Sequence, residues 1–353
     1  MMRTFGTIAV IVCLYSLAAT PLQAQTQMQA FAIDSLINKE SIGRFVAALA
    51  DDSMKGRLTG TKENIRAAEF IAGELQKAGA KPLAGNGGYY MSFDIRETRF
   101  EIPAKFSYNV VAALPGKSRH KEIVIFCAHY DHIGTQHALH NQSRDKPTDP
   151  DGDIIYNGAN DNASGVAAML ALAKYYGELK NNERTILFIA FSAEEIGLIG
   201  SSEFVANINP DFFTAVINLE MLGRTTPRSK NRPYITGHQY SDLITIFNGA
   251  LAHTDLKKYG TDYFRKDPYQ EEQLFARSDN YPFARLGIPA HTVMSGSPLD
   301  HEYHSVNDEY ESLNIKAMTE FVRAIALAAT PLVNGTATPK RINPKRIPDK
   351  KNF

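Results

Sequence analysis

Apolar positions along the chain fall into two patterns. Between residues 61 and 79, Ile65, Ala68, Ile71, Leu75 and Ala78 recur at steps of three or four, the period of a helix with one buried face. Thr61 opens the run as an N-cap and Gly79 follows as a stop. By contrast, Ile123-Val124-Ile125-Phe126-Cys127-Ala128 is apolar at every position, which suits a strand covered on both faces. Shorter β-prone runs at 89–95 and 109–114 precede it. After a polar loop at 133–157 the chain alternates: an Ala-rich helix at 163–177, an apolar strand at 184–191, a helix at 198–206 and a third buried strand at 213–219. A helix at 240–253, a strand at 288–294 and a helix at 313–332 follow. Strands alternating with helices predict an α/β fold, with a mixed, mainly parallel central sheet and helices on both faces. Neither an internal repeat nor a Pro/Gly linker interrupts residues 25–333, so a single domain is expected there.

The two ends read differently. Arg3, the apolar run from Ile8 to Ala19, Pro21 and the small residue Ala24 before Gln25 have the form of a secretory signal over residues 1–24. That run is too short for a membrane span, and no other stretch reaches about 18 apolar residues. A chain exported to the periplasm or secreted, with no membrane span, is therefore expected. Val12 stands where lipoprotein processing wants a small residue, which argues against an anchor on Cys13. Without the leader Cys127 is the one cysteine, so no disulfide within the chain can form. At the other end, residues 334–353 hold Lys340, Arg341, Lys345, Arg346, Lys350 and Lys351 against Asp349, with several prolines. Such a composition predicts a solvated, disordered tail.

Composition then excludes whole classes. With 44% apolar and 22% charged residues the 353-residue chain can bury a full core. Its 38 basic and 38 acidic groups give no field that would gather nucleic acid or an anionic membrane. Leader and tail carry much of the basic charge. Residues 25–333 hold 31 basic and 37 acidic groups, a mildly acidic body that suits cations.

Chemistry-bearing residues collect where the buried strands end. The first strand runs into His129-Tyr130-Asp131-His132, the second into Glu194-Glu195 and the third into Glu220. Ligands of open α/β sheets bind at these carboxyl ends. Asp161 lies just before a helix, and Tyr303-His304 comes late in the chain. Taken singly, a histidine at a rim, a pair of glutamates at a helix start and an aspartate as N-cap are ordinary. Taken together, His129, Asp161, Glu195, Glu220 and His304 are a nitrogen and oxygen donor set of the kind zinc prefers. Asp149-Pro150-Asp151-Gly152-Asp153 spaces three carboxylates as a calcium loop could, or as a solvated acidic turn does. Because no Gly-x-Ser-x-Gly elbow occurs, a serine hydrolase is set aside.

The order and wording of these clusters resemble the zinc-dependent M28 peptidases, the family of bacterial secreted aminopeptidases, glutamate carboxypeptidase II and, more distantly, glutaminyl cyclases. The likeness runs over residues 41–332. It rests on Gly56 to Gly60, Ala128 to His132, Gly158 to Gly165, Phe191 to Ser201, Asn218 to Gly223, Ser278-Asp279 and Tyr303-His304. What the resemblance implies is a two-zinc site on the zinc-exopeptidase fold, bridged by Asp161, with His129 and Glu220 on one ion and Glu195 and His304 on the other. Glu194 would be the general base, Asp131 would accept a hydrogen bond from His129, and Tyr303 would steady the oxyanion. The implied activity is that of an exopeptidase, an aminopeptidase first of all, acting on a peptide or small molecule with a free N-terminus. A carboxypeptidase, a glutaminyl cyclase or a non-catalytic binding protein on the same fold are the alternatives. This chain departs from the family at Glu220, where aspartate is usual, and the occupancy of the second ion turns on that extra methylene. The stretch 224–277, with Arg224, Arg228, Arg232, Arg265 and Arg277, is the expected specificity wall.

Overall fold

The computed structural model describes residues 33–83, 87–95, 102, 104–136, 152–254 and 258–349. The leader, together with Asp149 and Asp151 of the candidate calcium loop, lies outside the described residues.

Among the described residues nine strands form one sheet. At its centre β4 (Arg119–His129) lies parallel to β5 (Arg184–Phe191) on one side and to β6 (Phe213–Glu220) on the other, and β6 continues in parallel to β9 (Ala290–Met294). Outside this core the pairing turns antiparallel. On one flank β3 (Phe106–Leu114) lies antiparallel to β5 and carries both β1 (Lys81–Pro82) and β2 (Tyr90–Asp94). On the other, β7 (Tyr234–Ile235) pairs antiparallel with β9 and parallel with β8 (Arg265–Lys266). The expected mixed, mainly parallel sheet is present.

Unbroken apolarity in the central strands has a direct cause. Side chains alternate across a strand, and both sides of β4 meet a core. Val124, Phe126 and Ala128 join a cluster with Ile42, Phe45, Ile71, Val166, Leu170 and Met318. Ile125 and Cys127 point the other way, to Phe204, Phe213 and Phe283. The first face is covered by α1 (Lys39–Leu49), α2 (Lys62–Lys77), α3 (Ser164–Leu179), α5 (Leu243–Ala252) and α7 (Ile315–Val333). The second is covered by α4 (Ile199–Val205) and α6 (Asn280–Arg285). Helix α1 adds an element that the sequence pattern left unassigned; Asn38 caps it by accepting from the Ser41 backbone N–H at 2.9 Å. No helix among the described residues is long and apolar enough to cross a membrane.

The tail departs from its expected solvated state as far as residue 349. Ile342 and Ile347 are buried against Phe283 and Ile288 on the second face. The Ile342 backbone N–H donates to the Gly287 carbonyl at 3.1 Å, and the Tyr281 hydroxyl donates to the Pro348 carbonyl at 2.8 Å. A basic, Pro-rich average conceals two isoleucines that dock the strap.

Candidate metal centre

Each expected donor sits where a central strand stops. His129 is the last residue of β4, Glu220 is the last of β6, and Glu194-Glu195 follow β5 by three residues. Asp161 reaches the same place from the turn before α3, and His304 from the loop after β9. Their ligand atoms form groups: His129, Asp161 and Glu220; His132, Asp161, Glu195 and His304; and His129 with Glu194 and Glu195. Within each group the atoms lie within 4.8 Å of one another. Asp161 belongs to the first two. Its Oδ1 is 3.2 Å from His129 Nε2 and its Oδ2 is 3.2 Å from His304 Nε2, so one carboxylate faces both ways. His304 Nε2 is also 3.2 Å from Glu195 Oε2.

Several buried interactions set the turns that present these groups. Arg57, fully buried, donates through Nε to the Tyr130 carbonyl at 2.8 Å, through Nη1 to Leu49 and Asn157 at 2.7 and 2.6 Å, and through Nη2 to Gly158 at 3.0 Å. It thereby ties the end of β4 to the Asp161 turn. Burial pulls its guanidinium down to about 10, although Asp308, Asp131 and Asp161 oppose this. The carboxylate of Asp308 accepts the backbone N–H groups of Asn160 and Asp161 at 2.9 and 3.0 Å. Arg224 binds that carboxylate, beyond His304 in the chain, and it also holds Asp300 at 3.3 Å and Glu302 at 2.9 Å, both just before Tyr303-His304. Neither Arg57 nor the Arg224 to Asp308 pair follows from local sequence, because each acts on segments far away along the chain.

Asp131 works differently from the expectation. His129 Nδ1 lies 3.1 Å from the backbone carbonyl of Asp131 and 3.8 Å from its carboxylate. The carboxylate accepts instead from the Thr59 hydroxyl at 3.0 Å and from the backbone N–H groups of Glu194 and Glu195 at 3.2 and 3.3 Å. It therefore positions the two glutamates.

Electrostatics follow from packing so many carboxyls together. Desolvation pushes Glu194 well above the usual carboxyl range; His129 opposes this, and Glu195, Glu220 and Asp279 add to it. Burial likewise raises Asp279 to about 7 against the pull of His129. The histidines answer the surplus of negative charge. His304 is carried up to about 9 by Glu195 and Asp161 in spite of its burial, and Asp161, also desolvated, is held well below its usual range by His129 and His304. A pocket whose own imidazoles must take up protons to balance its carboxylates calls for cations. Its mixture of imidazole nitrogens and carboxylate oxygens fits zinc-like divalent ions.

The remaining expectations fall out as follows. The Tyr303 ring stacks on His304 at 3.9 Å between centroids, and its hydroxyl is 3.5 Å from Arg277 Nη2. Of the five arginines in the specificity stretch, Arg228, Arg232 and Arg265 pair with Glu271 and Asp262, and Arg224 is committed to Asp308. Arg277 is the one that meets Tyr303. Glu220 Oε2 accepts from the Ser278 hydroxyl and from Asn218 Nδ2, the latter at 3.3 Å. In the candidate calcium loop, Asp153 accepts from the Ile155 backbone N–H at 2.9 Å, as in an ordinary turn. His132, which the sequence reading left without a role, stands among the donors.

The model of peptidase family M28 matches residues 109–329, more than half of the chain, and the chain belongs to that family. Aminopeptidase YwaD of Bacillus subtilis is 26% identical over 244 residues, covering 67% of this chain and 47% of that protein. The probable lipoprotein aminopeptidase LpqL of Mycobacterium tuberculosis is 26% identical over 188 residues, covering 46% and 37%. The chain spans less than half the length of these curated relatives. Among solved structures, the zinc aminopeptidase BSAP of Bacillus subtilis superposes with a TM-score of 0.62 at 16% identity, over 84% of this chain and 95% of that one. A glutaminyl cyclase of Porphyromonas gingivalis does so with a TM-score of 0.63 at 18% identity, over 84% and 99%. These structural likenesses show the fold, which hydrolases and cyclases share.

Proposed function

We propose that this protein is an exported, zinc-dependent aminopeptidase that removes residues from the N-termini of peptides, and that Asp161 would be shared between two zinc ions. One observation carries the reading: the Asp161 carboxylate faces His129 through one oxygen and His304 through the other. His129 and Glu220 would hold one ion, and Glu195 and His304 the other. Zinc, when bound, supplies Lewis acidity that polarises a carbonyl and makes water easier to deprotonate. The protein's part is to move protons and hold charge. Glu194 is not needed as a ligand, and its raised affinity for protons fits a general base that takes a proton from the attacking water and returns it to the leaving amine. The Tyr303 hydroxyl, which lies 3.5 Å from Arg277 Nη2, would donate to an oxygen that gains negative charge. Export rests on the leader-like residues 1–24.

A second reading, ring closure of N-terminal glutamine, draws on Glu220. Ser278 and Asn218 both donate to its Oε2, so that Glu220 would hold its ion through Oε1 alone. One experiment separates the two. Free and N-acetylated peptides are incubated with the zinc-loaded protein, with a chelated control, and analysed by mass spectrometry. Chelator-sensitive ladders from free N-termini alone establish the aminopeptidase; loss of ammonia from N-terminal glutamine moves the site to cyclase. C-terminal ladders give a carboxypeptidase, and no change with zinc bound gives a binding protein.

A further inference from the structure

His132 is fully buried, and its ring has a single polar partner among the described residues: Nδ1 lies 2.8 Å from Glu195 Oε1. Its Nε2 is buried and has no partner among those residues. The ring is held from several sides. The backbone of His132 bridges to Leu58, and its N–H points to the Arg57 carbonyl at 3.4 Å. His304 packs edge-on at 5.5 Å between centroids. Gly158 lies so close that a Cβ there would stand 2.5 Å from two ring carbons, and its φ of 57° also favours glycine. A ring fixed in this way cannot follow Glu195; it dictates where Glu195 goes.

We propose that His132 is a positioning residue: by donating Nδ1–H to Glu195 Oε1 it leaves Oε2 turned toward Asp161 and His304, and so sets the affinity of that half of the metal centre. The inference rests on the cation-binding reading of the site. Among the described residues the ring's one hydrogen bond is to Glu195, and that bond selects the tautomer with the proton on Nδ1. Carboxylates that ligate metals need such hydrogen bonds to keep one oxygen aimed, and losing the bond costs about 10–100-fold in affinity. His132 thus acts on Glu195 much as Asp308 acts on Asp161, but through a side chain.

Two substitutions and one spectrum test this. His132→Leu fills the space but cannot donate, whereas His132→Asn offers an amide N–H near the position of Nδ1. Zinc affinity is measured by competition with a chromophoric chelator, together with the number of ions bound. The expected result is that H132L weakens one ion about 10–100-fold and leaves the other unchanged, while H132N retains most of the affinity. Wild-type affinity in H132L, or equal loss in both variants, overturns the proposal. X-ray absorption at the zinc edge of the loaded wild-type protein needs no variant to fold. Two imidazoles over the whole site, those of His129 and His304, support a positioning role, and three make His132 a ligand and overturn it. A wild-type protein that binds no zinc fails the functional reading before His132 is in question.

Discussion

Two of the places where the molecule buries charge balance it in opposite ways. Near the start of β5, Arg184 is 1% exposed and fully engaged. It donates to Glu122 at 2.7 Å, to the carbonyls of Leu332 and Ala337 at 2.9 and 2.6 Å, and to the Thr338 hydroxyl at 2.5 Å. One cation is enclosed by acceptors from β4, α7 and the tail. At the carboxyl ends of the same strands, Asp131, Asp161, Glu194, Glu195, Glu220 and Asp279 converge on His129 and His304, and burial drives several of the carboxyls toward their neutral forms. The first region is closed by its own hydrogen bonds. The second is completed by a positive charge from outside. Buried charge at one end therefore serves folding, and at the other it is held ready for a ligand, a burden carried because the rest of the core is well packed.

The comparison breaks most sharply at Glu194. Replacing it by glutamine removes the proposed proton carrier and leaves the proposed metal ligands in place. Turnover is expected to fall by about 10²–10⁴-fold, or about 3–5 kcal/mol in the barrier, with zinc still bound. Unfolding of the metal-free variant should come at the same or higher urea concentration, because a neutral amide replaces a carboxyl that its surroundings disfavour as an anion. A near-normal rate with metal bound would sink the assignment of Glu194.

At the opposite end the trade reverses. Arg184→Met keeps much of the side-chain volume but deprives two carbonyls of their donor, each worth about 1–3 kcal/mol when buried. A loss of about 3 kcal/mol in urea unfolding is expected, with zinc affinity and turnover per folded molecule unchanged. Altered zinc affinity in R184M would show that the two regions are coupled.

The contrast also decides what could be read from sequence. Strands β4, β5 and β6 were legible because burial on both faces leaves an unbroken apolar run, and His129, Glu195, Glu220 and Asp161 because each stands just past such a run or in the turn leading to a helix; His304, in a loop, was legible only through the Tyr303-His304 motif. Strands β1, β7 and β8 were not, since two residues carry no period. Helix α6 is six residues long with Pro282 inside, and the docking of Ile342 and Ile347 was masked by charged neighbours. The supporting shell was illegible for a different reason. Arg57, Asp308 and Arg184 work on backbone groups up to about 150 residues away, and Arg224 on carboxylates about 80 residues away, and no local pattern marks a residue for such a task. His132 lay inside a quoted motif, yet its role depends on a ring orientation that only the packing of Gly158 and His304 determines.

The smallest expected effect distinguishes the two regions by pH. In the metal-free protein Glu194, Glu220 and Asp279 keep protons at pH values where their unfolded counterparts, near 4, have lost them, Asp279 up to about 7. His304 keeps its proton up to about 9, against about 6.5 unfolded. In both cases the folded state binds more protons than the unfolded one, so stability falls as pH rises through this window. Asp161 and Glu195, held low by the histidines, act with the opposite sign only below about pH 4. A bound cation displaces these protons, so its stabilising effect grows with pH. The gap in urea midpoint between zinc-loaded and chelated protein should widen between pH 5 and pH 8, on the order of 1 kcal/mol, because carboxyls this close share protons rather than titrate independently. The destabilisation by R184M should stay constant over the same range, since its carbonyl partners do not titrate. A zinc-dependent gap that is equally constant would mean that no exchange of protons for cations occurs at the carboxyl ends of the strands.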